Sequence, residues 1–229
     1  MSDYRQIISR MKSLYSPRNV EGMARYGIVS RNVFGLSSAD YEKLRREIGQ
    51  DHDLAIRLWD SGIYDARILA ALVDEPGKVT ESQMEKWVKD FDNWAVCDNT
   101  CMKLFGRTPF AYGKAREWSS RKEEFVKRAG FSLMATLTVH DKKAPDRVFL
   151  RFLPMIKKES RDERRYVMKS VNWALRQIGK HNKNLNKAAI KAAEEIAKMD
   201  SRAARWIAAD ALRELRSEAV RKRLLISGI

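Results

Sequence analysis

Signals that start helices recur along the whole chain, whereas the alternating pattern of a half-buried strand is hard to find. Three pairs have the spacing of a capping box, in which Ser or Thr precedes Glu or Gln by three residues: Thr80 with Gln83, Ser120 with Glu123, and Ser160 with Glu163. Asn186 is placed to cap a further helix. Only 11 Gly and five Pro interrupt the 229 residues. These features predict an all-α fold.

The spacing of apolar residues predicts a succession of helices joined by short connections. We expect them at 3–15, 18–26, 38–49, 51–61, 63–73, 81–91, 93–105, 109–117, 120–139, 145–156, 161–180, 186–199, 201–214 and 216–225. No stretch rich in Ser, Gly or Pro divides the chain. The sequence therefore predicts a single domain over residues 1–229.

A weak internal repeat places a cation beside an aromatic residue at the start of several helices. Arg67, Arg128 and Lys169 each follow an aromatic residue by three positions, and Arg205 directly precedes Trp206. Steps of 41 and 36 residues separate the last three cations. Helix pairs at such a spacing are typical of a right-handed α-solenoid of HEAT-like repeats, whose concave groove these cations would make basic. The alternative is a chance recurrence of helix starts with this composition.

Lys and Arg outnumber Asp and Glu by 45 to 30, which gives a formal net charge of +15. This excess favours a nucleic acid, an anionic membrane or an acidic protein as the partner. The N-terminal segment lacks the apolar core of a signal peptide, and the longest apolar run, 131–139, is too short to span a bilayer. We therefore expect a soluble, cytoplasmic protein.

Neither a disulfide nor a metal site is expected. Cys97 and Cys101 lie four residues apart on one predicted helix, where the Cβ atoms are usually too far apart for a relaxed disulfide. His52, His140 and His181 are too scattered for a zinc site. The sequence also lacks a P-loop, a GxGxxG loop and an HExxH motif. We expect no metal and no cofactor.

Trp94 and Asp98 stand four residues apart, so they share one face of the predicted helix 93–105. A half-buried carboxylate at the edge of a core usually has a hydrogen-bonding or ionic partner, or it has a functional role. Spacing alone leaves two interpretations of Asp98. It forms a salt bridge with a neighbouring Arg, which is the commoner case, or it is the chemical centre of a nucleic-acid enzyme.

Trp173, Arg176 and Lys180 form one helical stripe, at positions i, i+3 and i+7. The stripe fits an aromatic contact with a sugar or base flanked by cations that hold phosphates. It fits equally well a Trp that anchors its helix beside snorkelling cations. Arg128 precedes an apolar stretch, so it either points out at the start of its helix or is buried and paired, with Asp98 as a suitable partner.

Four sets of residues, taken together and in this order, resemble the AlkD-type DNA alkylation-repair glycosylases, which are built of HEAT-like repeats. They are Leu58-Trp59-Asp60 with Tyr64-Asp65-Ala66-Arg67, then Asn93-Trp94-Ala95-Val96-Cys97-Asp98, then Arg128-Ala129, and finally Val171-Asn172-Trp173-Ala174-Leu175-Arg176. The second is similar to the W-x-x-x-D catalytic turn of that family. The resemblance extends from about Ile7 to Leu215.

The resemblance implies excision of cationic N3- and N7-alkylated purines from double-stranded DNA, without a metal or cofactor. It implies that Asp98 is the catalytic acidic residue and that Trp94 and Trp173 flank the deoxyribose. It also places Arg128 and Arg176 near the DNA backbone. The repeated cations and the stripe add further candidates for DNA binding, namely Lys169, Lys180 and Arg205. We expect a monomer that does not bind membranes.

Two other functions stay open at this point. Many relatives carry an acidic residue directly after the Trp of the catalytic turn, and this chain has Ala95 there. This departure favours a non-catalytic DNA-binding repair protein that recognises distorted or branched DNA. Helical repeats also commonly serve as protein–protein scaffolds, although a scaffold would leave the net charge and the Trp, Asp and Arg set unexplained.

Overall fold

The computed structural model describes residues 3–30 and 32–226, and every regular element in this part of the chain is helical. The elements of the N-terminal half are α1 (Tyr4–Ser13), α2 (Pro17–Arg25), α3 (Ser38–Ile48), α4 (His52–Asp60), α5 (Tyr64–Val73), α6 (Glu81–Lys89), α7 (Trp94–Lys103) and a 3-10 turn (Phe105–Arg107). Those of the C-terminal half are α8 (Ala111–Ser119), α9 (Glu124–His140), α10 (Asp146–Leu150), α11 (Leu153–Glu159), α12 (Arg165–Gly179), α13 (Lys183–Ala197), α14 (Arg202–Leu215) and α15 (Glu218–Ile226). The predicted all-α fold is confirmed. None of these helices is long and apolar enough to cross a bilayer.

Two of the predicted capping boxes are wrong. Ser120 and Ser160 end α8 and α11, and their hydroxyls donate to the carbonyl oxygens of Glu117 (2.9 Å) and Lys157 (2.7 Å). A Ser hydroxyl can accept a hydrogen bond at a helix start or donate one back into the preceding turn, and sequence spacing does not separate the two cases. The next long helices, α9 and α12, begin only after a further loop.

Two other helix starts differ in outcome. Thr80 caps α6 as predicted, because its hydroxyl oxygen accepts a hydrogen bond from the N–H of Gln83 at 3.1 Å. Asn182, and not Asn186, caps α13 by accepting from the N–H of Leu185 at 2.8 Å. The helix predicted at 145–156 is instead two helices, α10 and α11.

Two compact units make up the chain, Met1–Pro109 and Phe110–Ile229. They are called the first and the second unit below. The prediction of a single domain over residues 1–229 stays a prediction.

The second unit is a regular stack of helix pairs. Helices α9, α12 and α14 pack side by side, and each also packs on a partner helix: α8, α11 and α13. Arg128 Nη1 donates to the carbonyl oxygen of Tyr166 at 2.7 Å, and Asn172 Nδ2 donates to the carboxylate of Asp210 at 2.7 Å. Both bonds join residues 38 positions apart, so successive pairs repeat at that offset. The predicted HEAT-like repeat is confirmed.

Gly130 lets α8 and α9 approach each other closely. A Cβ atom at this position would lie 2.4 Å from the backbone nitrogen of Ser119 and 2.8 Å from its Cα. These are backbone atoms, which cannot move aside as the end of a flexible side chain does. Any larger residue at Gly130 would therefore push the two helices apart.

The first unit is less regular, and a buried carboxylate organises part of it. Asp65, on α5, has no exposed surface and accepts hydrogen bonds from the N–H groups of Gly35 (3.3 Å) and Leu36 (2.9 Å). The hydroxyl of Tyr41 on α3 donates to the same carboxylate at 2.7 Å. Asp65 thus fixes the loop that leads from α2 to α3, whose donors would otherwise be buried without partners.

Candidate nucleic-acid interface

Helix α7 begins at a well-defined cap. The side-chain oxygen of Asn93 accepts hydrogen bonds from the N–H groups of Ala95 and Val96, both at 3.0 Å. Half of the ten residues of the helix are buried in the first unit, namely Ala95, Val96, Cys97, Thr100 and Cys101. Trp94 and Asp98, one turn apart, are both half-buried. The two residues therefore share one face at the edge of the core, as predicted.

The indole ring of Trp94 is held in one orientation. Its Nε1–H donates to the carbonyl oxygen of Tyr26, which ends α2, at 3.0 Å. The ring lines a cleft of about 770 Å³ between α2 and the start of α3. Two arginines of α2, Arg18 and Arg25, also line this cleft. Trp94 is therefore a fixed aromatic wall beside cationic side chains.

A second cleft, of about 550 Å³, also contains Trp94 in its lining. Tyr41, Asn99 and Lys103 are among the polar groups around it. Burial raises the pKa of Tyr41, and the nearby Asp65 carboxylate raises it further, so the hydroxyl stays a neutral hydrogen-bond donor. The surface beside Trp94 is thus concave, and its lining includes the ammonium group of Lys103 and the carboxylate of Glu42, while the Tyr41 hydroxyl is held by Asp65.

Arg128, in the second unit, is buried, with 6% of its surface exposed. Its guanidinium donates to the carbonyl oxygen of Tyr166 at the start of α12. Of the two alternatives for this residue, the buried and partnered one is correct. Pairing with Asp98 stays a prediction, as does the convergence of Arg128 and Trp173 with Trp94 and Asp98.

Lys169, Trp173, Arg176 and Lys180 lie along one stripe of α12, at helical spacing. Lys169 is exposed and makes no ion pair within residues 3–30 and 32–226. Trp173 is half-buried, with its neighbours Asn172 and Ala174 buried. The N-terminal half of the stripe therefore presents an aromatic ring and an unneutralised cation to solvent.

The C-terminal half of the stripe is neutralised by α14. Arg176 forms an ion pair with Glu214 and lies 3.6 Å from the carboxylate of Asp210. Lys180 Nζ donates to Glu214 at 2.6 Å. Burial alone would raise the pKa of Glu214, but the hydrogen bonds from Lys180 and Arg176 outweigh burial and hold this pKa below its usual value. Glu214 is therefore an anion at neutral pH.

Helix α14 presents its own aromatic residue and cations. Arg205 is exposed, and its guanidinium lies 3.3 Å from the carboxylate of Asp200. Trp206 keeps 41% of its surface exposed, although its neighbours Ile207 and Ala208 are buried. This side of α14 therefore offers an indole ring as well as positive charge.

Both cysteine thiols, Cys97 and Cys101, are reduced and buried, as predicted. Among the residues that the structure describes, no group of His, Cys, Asp and Glu could hold a metal ion.

A sequence model of the family described as DNA alkylation repair enzyme matches residues 7–215. The chain belongs to this family. Two proteins with similar sequences are an uncharacterized protein of Listeria innocua serovar 6a and another of Listeria monocytogenes serovar 1/2a. They are 24% and 23% identical over 203 residues, which is 87% of this chain and 88% of each relative.

The fold of this DNA alkylation repair family member is also found in a solved structure. That structure is described as "a new family of proteins related to the HEAT-like repeat DNA glycosylases with affinity for branched DNA structures". The TM-score is 0.81 at 19% identity, and the match covers 97% of this chain and 96% of the other. At this identity, the likeness establishes the HEAT-like repeat fold.

Sequence reasoning missed two features of this family member. The acidic residues Asp210 and Glu214, which neutralise part of the α12 stripe, lie 38 residues after Asn172 and Arg176. A search for opposite charges at the repeat spacing would have found Glu214 opposite Arg176, but not Asp210, because Asn172 is neutral. In the sequence, Trp206 is distinguished only as part of a loose repeat, and its exposure follows from the packing of α14 on α12 and α13.

Proposed function

We propose that this protein is a monofunctional DNA N-glycosylase that hydrolyses the N-glycosidic bond of cationic N3- or N7-alkylated purines in duplex DNA. It acts as a cytoplasmic monomer. The observation that carries the proposal is on α7. Trp94 and Asp98 are both half-buried one turn apart, on a helix whose other face packs into the core. A fixed indole beside a cleft, with a half-buried carboxylate one helical turn away, suits a reaction at a sugar.

The chemistry requires an anion more than an acid. An alkylated purine is already positively charged, so it leaves without being protonated. The transition state then places positive charge on the deoxyribose. As the bond from the sugar carbon to the purine nitrogen breaks, Asp98 stabilises that charge and orients the attacking water, which adds to the sugar carbon and gives its proton to the Asp98 carboxylate. The indole faces of Trp94 and Trp173 attract the same developing charge.

The cations hold the DNA backbone in this proposal. Lys169 is exposed and ready to contact a phosphate, and Arg205 is exposed beside Asp200. Arg176 and Lys180 bind Glu214 in the protein alone, so phosphates must compete with that carboxylate for them. Arg128, which is buried, acts mainly by fixing the start of α12 behind the contacts.

Release of free base from duplex DNA that contains N3-methyladenine and N7-methylguanine tests the proposal. With enzyme in excess, Asp98→Asn should lower the single-turnover rate by about 100-fold or more. Asp53→Asn, which changes an exposed carboxylate of the same unit, is the matched control and should leave the rate unchanged. Equal rates for wild type and Asp98→Asn would rule out the role of Asp98.

A second candidate is a non-catalytic protein that recognises branched or distorted DNA. It is favoured by the similarity to a structure described as having affinity for branched DNA, and by Ala95, which is buried beside Trp94. This function predicts no base release by the wild type, together with salt-sensitive binding that is tighter for a four-way junction than for a duplex of equal length.

A further inference from the structure

Trp206 is a large aromatic residue on the solvent side of α14. It keeps 41% of its surface exposed, while the opposite side of the helix is buried. Indole rings bury large apolar areas when they pack, so an exposed ring at a cationic surface is available for a ligand. The glycosylase reaction proposed above does not use Trp206.

Two arginines of the same helix flank Trp206. Arg202 precedes it by four residues and Arg213 follows it by seven, so the helical period places all three on one stripe. Both arginine side chains are largely exposed. Arg202 lies 3.6 Å from Glu163, and Arg213 is paired with Asp210 of its own helix. The indole therefore stands between two guanidinium groups.

Helix α12 adds a cation at the same level. The contacts of Asn172 with Asp210 and of Arg176 with Glu214 each span 38 residues. Trp206 lies one turn before Asp210, and the residue 38 positions before Trp206 is Met168. The same register therefore places Trp206 level with Met168 and next to Lys169. Lys169 and Asn172 are one turn apart, and Asn172 faces Asp210 on α14, so Lys169 lies on the α14 side of its helix.

This combination suits an unpaired nucleobase. Exposed aromatic rings flanked by cations bind single-stranded nucleic acid, since bases stack on the ring and phosphates lie on the cations. In a continuous duplex, neighbouring pairs cover both faces of each base, so an indole can stack only where pairing ends or is interrupted. The exposed side chains around Trp206 are charged or small, such as that of Ala209, whereas a protein-binding surface has an apolar centre.

We propose that Trp206 stacks on an unpaired base at a fork, gap or junction in DNA, while Arg202, Lys169 and Arg213 contact the adjacent phosphates. The site gives the protein a preference for DNA with locally single-stranded character. The proposal rests on the DNA binding assigned under the proposed function, but it does not require base excision.

Fluorescence anisotropy with two labelled oligonucleotides tests the site: a blunt duplex, and a fork with three unpaired bases per arm and the same number of phosphates. Trp206→Ala should weaken binding of the fork about tenfold and binding of the duplex less than twofold. Trp206→Phe should keep most of the preference, since a phenyl ring still stacks. Lys191→Gln, which changes an exposed lysine of α13 outside the proposed site, is the control and should leave the ratio of fork binding to duplex binding unchanged.

An equal loss for fork and duplex in Trp206→Ala, an unchanged preference, or no DNA binding by the wild type would overturn the proposal. Measuring base release as well distinguishes failure of the stacking site from failure of the glycosylase function. A normal release rate in Trp206→Ala with lost fork preference supports both. If the wild type releases no base and Trp206→Ala loses the fork preference, the stacking site is supported and only the glycosylase function is ruled out. Normal release with an unchanged fork preference removes only the stacking site.

Discussion

Two buried charged clusters, one in each unit, use their side chains in different ways. In the first unit a carboxylate serves the backbone, because Asp65 accepts from the N–H groups that precede α3. In the second unit, cations are held by acids and carbonyl groups one repeat away. Lys127 pairs with Glu159 and Asp162, and Arg128 donates to the carbonyl of Tyr166. In both units the fold itself uses charges that a sequence-based analysis counts as possible ligands.

This difference separates structural charges from candidate functional ones. Asp65 is completely buried, whereas Asp98 is half-buried beside Trp94. Lys180 is bound to Glu214, whereas Lys169 on the same helix is exposed and makes no ion pair in the described part of the chain. Net charge therefore overstates the number of cations that are ready for DNA, and the comparison can be tested pair by pair.

The largest expected effect concerns the two aspartates of the first unit. Asp65→Asn turns an acceptor of several buried hydrogen bonds into a group that points an N–H at other donors, so the free energy of unfolding should fall by about 3 kcal/mol. Asp98→Asn, on a half-buried site, should lower it by about 1 kcal/mol or less. Urea unfolding followed by circular dichroism measures both values.

Ser37→Ala is a useful reference for Asp65→Asn, because Ser37 caps α3 at the end of the loop that Asp65 holds. It should cost about 1 kcal/mol. The assignment of Asp65 as structural and Asp98 as functional would fail if the two Asp→Asn variants were equally destabilised.

The intermediate effect concerns Glu214. Glu214→Gln removes the anion that binds Arg176 and Lys180, so the free energy of unfolding should fall by about 1 kcal/mol at neutral pH. Binding of duplex DNA should tighten a few-fold at the same time, since two cations lose their internal partner. Urea unfolding and anisotropy titrations measure the two changes, which have opposite signs.

The pH dependence checks the cause. The folded-state pKa of Glu214 lies below its usual value, so its ionised form stabilises the fold above about pH 4.3. This contribution is lost as the pH falls through the lowered folded-state pKa. Below that range, wild type and Glu214→Gln should therefore become equally stable. A difference that persisted there, or DNA binding weakened by the substitution, would contradict the assignment.

The fold was predictable because the determining signals are local. Apolar spacing and caps such as Thr80 place most helices within a few residues of their observed ends. The errors at Ser120 and Ser160 arise where one hydroxyl can serve either end of a helix. Pro154 lies in the first turn of α11, where its missing N–H is tolerated, so a proline did not by itself identify the break after α10.

The candidate site was predictable only in part. The shared face of Trp94 and Asp98 follows from a spacing of four, and the structure has both at the edge of the core. The bond from Trp94 to the carbonyl oxygen of Tyr26 joins residues 68 positions apart, and no local pattern predicts it. The same holds for Glu214, whose effect on Arg176 and Lys180 depends on the parallel packing of two helices.

The smallest effect compares two lysines of one helix. Each phosphate contact by an unpaired cation contributes about 0.9 to the slope of log K against log salt concentration. Lys169→Gln should lower the magnitude of that slope by about this amount, because Lys169 is not neutralised in the protein. Lys180→Gln should change it by less than half as much, because binding must first break the bond to Glu214. Equal changes in slope for the two variants would mean that Glu214 does not withhold Lys180 from DNA. In the Glu214→Gln background, the change in slope caused by Lys180→Gln should rise to that caused by Lys169→Gln, which would establish that Glu214 does withhold Lys180.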